Sequence, residues 1–178
     1  MKIGLIRHFP VEQALPTGWK TAAELHQWRH DYELASVRPI QPDLGGVKWT
    51  RCFASTVRRA ALTADAVFPG AATQTDLLRE AEFAEFRTGA LRLPILAWYA
   101  IFRLSWMTGH CSQRALRDAF IQRVQTVADQ LASGTGDTLV VSHGGVRAFL
   151  SAELRRRGFA GPKFGLAAHA RAYVFERA

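Results

Sequence analysis

Residues Thr138–Ser142 read TLVVS, a short run that is apolar on both of its alternating faces. A strand of this kind has to be covered on both sides, and its usual place is the centre of a parallel sheet with helices above and below. Gly134 and Gly136 precede it, and His143-Gly144-Gly145 follows at once. Val146, Phe149, Leu150 and Leu154 then recur at helical spacing up to Gly158. The opening stretch Lys2–Pro10, KIGLIRHFP, has the same build. Ile3, Leu5 and Ile6 form a buried strand, Arg7 and His8 stand where it ends, and Pro10, with no N–H to give a ladder, closes it.

Between these strands the pattern alternates. Thr21-Ala22-Ala23-Glu24 is a capping box, and Leu25, Trp28, Tyr32 and Ala35 follow at helical spacing, which predicts a helix over about 22–36. Pro39, Pro42, Gly45 and Gly46 mark a loop. Arg51–Ser55 reads as a strand, with Ser55 as N-cap of a helix whose apolar face is Val57, Ala60, Ala61, Ala64 and Phe68. Residues 73–76 read as a third short strand, and 77–80 as a loop. Pro94 opens an amphipathic helix with Ile95, Trp98, Tyr99, Phe102 and Trp106 on one face. Ser112 is placed to cap a long helix striped by Leu116, Phe120, Val124, Val127 and Leu131, and residues 172–175 give a last strand. The order predicts one α/β domain over residues 1–178, a three-layer sandwich with a mostly parallel central sheet flanked by helices.

Three strand-to-helix junctions then fall on one sheet edge: Arg7-His8, Ser55 to Arg59, and Ser142 to Gly145. The ligand crevice of an open α/β sheet lies at such an edge. Taken singly, Arg7-His8 reads as an incidental surface pair, Arg59 as a surface arginine and His143-Gly144-Gly145 as a turn. Arg59, however, stands in the first turn of a helix, where the macrodipole disfavours a cation unless an anion lies between it and the exposed N–H groups. Together these residues predict a cationic pocket for an anion, a phosphoryl group above all.

The net charge of +8 also suits nucleic acid or an anionic membrane. Yet the arginines are dispersed, the densest run being Arg155–Arg157, and no aromatic-interleaved basic tract occurs, so no specific nucleic-acid partner is expected. The longest apolar stretch, residues 93–107, is broken by Pro94 and Arg103 and is too short to span a bilayer, so no membrane partner is expected either. His26 and His30 are four apart, but no third ligand or acidic base accompanies them, and they read as a solvated helix face. Cys52 and Cys111 lie in no metal-type spacing. With no signal peptide ahead of the first strand, the expected location is the cytoplasm, with both thiols reduced.

The chain resembles the histidine phosphatase superfamily, which includes the phosphoglycerate mutases. That family opens with a strand ending in Arg-His-Gly, and Leu5-Ile6-Arg7-His8-Phe9 is similar. Its second block, Ser-x-x-x-Arg-Ala-x-x-Thr-Ala, matches Ser55 to Ala64 and puts the family arginine at Arg59 rather than Arg58. Its third, Leu-x-Glu followed by an aromatic-glycine pair, is similar to Leu78-Arg79-Glu80-Ala81-Glu82-Phe83-Ala84. Its fourth matches Val140-Val141-Ser142-His143-Gly144-Gly145. The blocks come in the family's order, over residues 2 to about 150.

The resemblance implies a phosphoglycerate mutase-like fold. It also implies a phosphomonoesterase that hydrolyses a small phosphorylated metabolite through a phosphohistidine on His8. Arg7, Arg59 and His143 would hold the phosphoryl oxygens. Glu80, with a raised pKa beside bound phosphate, would protonate the leaving oxygen and then activate water. Glu82 and Glu85 are the rival carboxylates. No cofactor and no metal are implied, because arginines supply the positive charge. Mutase-type transfer, a protein phosphohistidine phosphatase and a non-catalytic phosphate-binding module are the alternatives. Phe9 stands where the family has glycine, so its ring is expected to narrow the pocket or tilt His8; Ala84 also replaces a glycine. Residues 83–112 lie where relatives carry substrate-selecting structure. Their Trp98, Tyr99, Phe102 and Trp106 either line an apolar pocket mouth or pack against the sheet edge.

Overall fold

The computed structural model describes residues 1–163, 165 and 168–178. In chain order the elements are β1 (Lys2–Arg7), β2 (Trp19–Lys20), α1 (Ala22–Leu34), β3 (Arg51–Ser55), α2 (Arg58–Val67), β4 (Thr73–Thr75) and a 3-10 turn at Asp76–Leu78. They continue with β5 (Leu93–Pro94), α3 (Ile95–Met107), α4 (Arg114–Ser133), β6 (Thr138–Ser142), α5 (Gly144–Arg156) and β7 (Ala172–Glu176). The main sheet has the order β4-β3-β6-β1-β7. Its first four strands are parallel, and β7 runs antiparallel along the edge of β1.

Strand alternation sorts the core into two layers around this sheet. Ile3, Leu5 and Val140 point to one side, onto Phe120, Val124, Val127 and Leu131 of α4 and Val146, Leu150 and Leu154 of α5. Ile6, Leu139 and Val141, with Cys52 and Ala54 of β3, point to the other side, onto Ala60, Ala64 and Val67 of α2. Each such aliphatic side chain, fully buried, is worth roughly 1.5–3 kcal/mol. Gly4 faces the second layer, where a Cβ would lie 2.5 Å from the Trp49 ring, so the indole lies against bare backbone. The result is the α/β sandwich that the two-sided apolar strands predict.

α1 starts at its capping box: Glu24 N–H donates to Thr21 Oγ1 (3.1 Å) and Thr21 N–H to the Glu24 carboxylate (2.7 Å). Two other predicted caps are not used. α2 begins after Val57, without a side-chain cap, because the Ser55 hydroxyl is engaged in the site. Its buried face is Arg59, Ala60, Thr63, Ala64 and Val67, rotated from the predicted stripe because Arg59 and Thr63 are buried for polar reasons. At α4 the N-cap position is Gln113, not Ser112. The fully buried Gln113 amide accepts from Ala84 N–H (2.9 Å) and donates to Ala84 O (3.1 Å), pinning the loop after Glu80.

The short β2–β5 pair leaves no trace in the sequence pattern, since two residues carry no periodicity. It ties the start of α3 to the segment ahead of α1. Trp98 of α3 packs on Ala22 and Leu25 of α1, and its indole N–H donates to Lys20 O at 2.7 Å. Among the described residues no helix is long and apolar enough to cross a membrane.

Candidate active site

β1 and β6 pair in register up to Arg7 and Ser142, and His8 N–H donates to Ser142 O (3.0 Å), one residue past the strand end. His8 and His143 therefore leave neighbouring strands together, with ring centroids 5.3 Å apart. α2 brings Arg59 to the same edge. A cavity of about 560 Å³ is lined by all five predicted residues, Arg7, His8, Arg59, Glu80 and His143.

His8 is 3% exposed. Its Nδ1 donates to Phe9 O at 2.6 Å, which leaves the lone pair on Nε2. Burial first, then the charges of Arg59 and Arg7 and the neighbouring His169, push its pKa down to about 3 against the raising effect of the Phe9 bond. The ring is neutral at pH 7, as a nitrogen nucleophile must be.

His143 is 1% exposed, and burial, Arg59, His8 and Arg7 hold its pKa well below the ordinary histidine value. Its Nε2 meets Ser55 Oγ at 3.0 Å. Among the described residues Nε2 is the one acceptor within reach of the Ser55 hydroxyl proton, so the tautomer that pairs this proton has Oγ donating to Nε2 while accepting from Val57 N–H, and the ring proton on Nδ1. Nδ1 is buried with no hydrogen-bond partner among the described residues, as are Nε and Nη1 of Arg59. Arg59 is 5% exposed, with its guanidinium 5.2 Å from the Tyr32 ring centroid. Burial works against its charge, while Tyr32, Glu33 and Glu80 favour it. Buried donors are almost always paired. Here three unpaired ones stand beside a neutral imidazole, an arrangement matched by a multiply charged oxyanion.

Glu80 lies across the mouth of the site. Its carboxylate accepts from Gly145 N–H (3.1 Å) at the N-terminus of α5 and from Ala81 N–H (3.0 Å). Glu82 is exposed and does not line the cavity, and Glu85 is exposed and lines a neighbouring one.

The sequence model of the histidine phosphatase superfamily (branch 1) matches residues 5–176. The chain belongs to the histidine phosphatase superfamily. Among solved structures it is similar to a candidate alpha-ribazole-5'-P phosphatase from Escherichia coli, with 24% identity over 86% of this chain and 79% of that one, and TM-score 0.52. It is also similar to a phosphoglycerate mutase from Thermus thermophilus, with 22% identity over 98% and 92%, and TM-score 0.54. The Thermus protein TTHB049 gives 21%, 98%, 92% and 0.55. At these identities the structures share the fold. No curated protein matches significantly.

Polar residues of the second block have visible contacts in the site. Ser55 holds His143. Thr63 donates to Arg59 O (2.7 Å) and accepts from Phe9 N–H (2.9 Å), joining the Arg59 helix to the segment carrying His8. The expectation for Phe9 is corrected. Its ring is buried among Ile6, Trp49, Ala60 and Ala64, away from the cavity, while its carbonyl orients His8. Neither Tyr32 nor His169 carries a sequence signal of its place beside the site; Tyr32 shows only as a member of a helix stripe. His169 Nδ1 donates to His8 O at 2.6 Å, and His169 bridges to Arg7 just before the antiparallel edge strand. No spacing rule reaches that contact.

Proposed function

We propose that this protein is a metal-independent phosphomonoesterase that passes the phosphoryl group of a small phosphorylated metabolite through His8 to water. The observation that carries the reading is the set of unpaired, buried donors on Arg59 and His143 around a neutral His8 whose Nδ1–H is held by Phe9. Nε2 attacks phosphorus and the ester P–O bond breaks, with Glu80 giving the leaving oxygen a proton. Arg7, Arg59 and His143 take the phosphoryl oxygens. Glu80 then accepts a proton from water, the water oxygen bonds to phosphorus, and the P–N bond breaks to release phosphate.

Hydrolysis is favoured over mutase-type transfer because seven aromatic side chains outnumber the two arginines, Arg29 and Arg103, in the lining of the adjoining cavity, which suits a bulky leaving alcohol better than a second phosphate. The same proposal places the protein in the cytoplasm, where its free Cys52 and Cys111 stay reduced, with neither nucleic acid nor membrane as a specific partner. The test is brief exposure to a radiolabelled phosphate ester followed by denaturation. Acid-labile, base-stable label is expected on the wild type and none on His8→Ala. Full labelling and turnover in His8→Ala would overturn the assignment.

A further inference from the structure

The catalytic cavity does not end at Glu80. Trp28, Arg29, Glu80, Ala81, Phe83 and Tyr99 line both it and a second cavity of about 630 Å³, so one molecule can occupy the two. That volume lies within the range of small-molecule sites. The further walls are Phe102 and Trp106 of α3, Phe120 of α4, Phe149 of α5 and Leu25 of α1. Of its charged members, His26, Glu85 and Arg103 are exposed and belong to the rim, while the half-buried Arg29 and Glu80 stand in the wall shared with the catalytic cavity, so the part of the chamber beyond that wall is apolar.

Two details narrow what such a chamber takes. Glu80, the carboxylate nearest a leaving oxygen on the reading above, sits in the shared wall, so the chamber receives the alcohol side of the ester. Trp106 is 7% exposed, and its indole N–H is buried with no hydrogen-bond partner among the described residues. Buried indole N–H groups usually have a partner, and leaving one unpaired is costly. A purely aliphatic guest would leave it so; a flat ring carrying an acceptor atom would pair it and also suit walls made of rings.

We propose, resting on the phosphatase reading, that the substrate is a phosphate monoester whose alcohol carries a large aromatic body with a ring acceptor atom. The body lies in the chamber behind Glu80, against Phe83, Phe102 and Trp106.

The test compares phosphates of primary alcohols, so that the bond broken stays the same: ethyl, n-decyl, 2-naphthylethyl and the isomeric quinolinylethyl phosphates. Burial of the ring system predicts kcat/KM about 10- to 100-fold higher for naphthylethyl than for ethyl phosphate. At least one quinolinyl isomer is expected to exceed the naphthyl ester several-fold, and Trp106→Phe is expected to erase that difference. Ala84→Leu, which intrudes on the chamber from its loop, is expected to lower the naphthylethyl-to-ethyl ratio, a second reading should Trp106→Phe fold poorly. Equal kcat/KM for ethyl and naphthylethyl phosphate would overturn the proposal while leaving the phosphatase reading intact. A preference for n-decyl over every ring would overturn the aromatic assignment in favour of a lipid chain. If no ester is turned over, the phosphatase reading fails, and tryptophan-fluorescence titration with naphthylethyl and ethyl phosphonates decides the chamber alone. Tighter binding of the ring by about 10-fold or more upholds it, and equal binding ends it.

Discussion

The Glu80 carboxylate fills the space in which a side chain at position 145 would stand. A Cβ on Gly145 would lie 2.4 Å from Oε1, while the Gly145 N–H donates to Oε2 at 3.1 Å. Bare backbone at the start of α5 therefore seats the Glu80 carboxylate.

Gly145→Ala is expected to displace Glu80 and to reproduce the Glu80→Gln defect. For an alkyl phosphate, whose leaving alkoxide needs a proton, single-turnover formation of phosphohistidine should fall by about 10²–10⁴-fold in Glu80→Gln. Nitrophenyl phosphate, with a stable leaving anion, should suffer much less. Glu82→Gln should show no such dependence on leaving group. The reverse pattern would move the acid to Glu82.

Ser55→Ala removes the hydroxyl that holds His143 Nε2 and accepts from Val57 N–H. Leaving a buried ring nitrogen unpaired is expected to cost about 1–3 kcal/mol. Urea denaturation should show a lower midpoint at an unchanged slope. Vanadate should also bind several-fold more weakly, since the Nδ1 proton would no longer be fixed. Unaltered vanadate affinity would mean that Ser55 does not orient His143.

The pH dependence of stability follows from the neutral histidines. His8, His143 and His169 all have folded-state pKa values below the ordinary 6.5, in each case chiefly through burial. Below pH 6.5 the unfolded chain therefore binds more protons than the folded one, so stability falls as pH drops, for His8 down to about 3. Each ring contributes up to about 1.4 kcal/mol per pH unit. Between pH 7.5 and 5, above most carboxylate titration, the wild type should lose stability, and His8→Asn should lose less. Equal losses in both would show that His8 does not titrate on unfolding.

Exhaustive chelation is expected to leave turnover unchanged, because on the proposed reading Arg7 and Arg59 supply the positive charge that a metal would. Vanadate or tungstate should inhibit competitively. Activity lost on chelation and restored by one divalent cation would contradict the assignment.

β1 and β6 were legible because a strand buried on both faces leaves an apolar run, and α1 because its capping box is local. α2 was misphased because Arg59 and Thr63 occupy its buried face, and a hydrophobic stripe cannot announce buried polar residues. Ser55 has the chemistry of a cap, and only the position of His143 shows where its hydroxyl is used. The seating of Glu80 on Gly145 joins a loop to a helix start far along the chain, and the His169 contact depends on the chain's path into β7. Both are tertiary, and no local pattern carries them.

The position of β1 in the sheet has a consequence for synthesis. Ile3 lies between Thr138 on β6 and Phe175 on β7, so the strand that delivers His8 leaves the ribosome well before either neighbour exists. Long-range pairings of this kind form late and slowly. A nascent chain halted before β6 holds His8 at the end of an apolar strand with both edges open, the sort of segment that invites aggregation. Such a chain has no half-built site to offer: His8 and His143 stand side by side only once β6 has paired with β1.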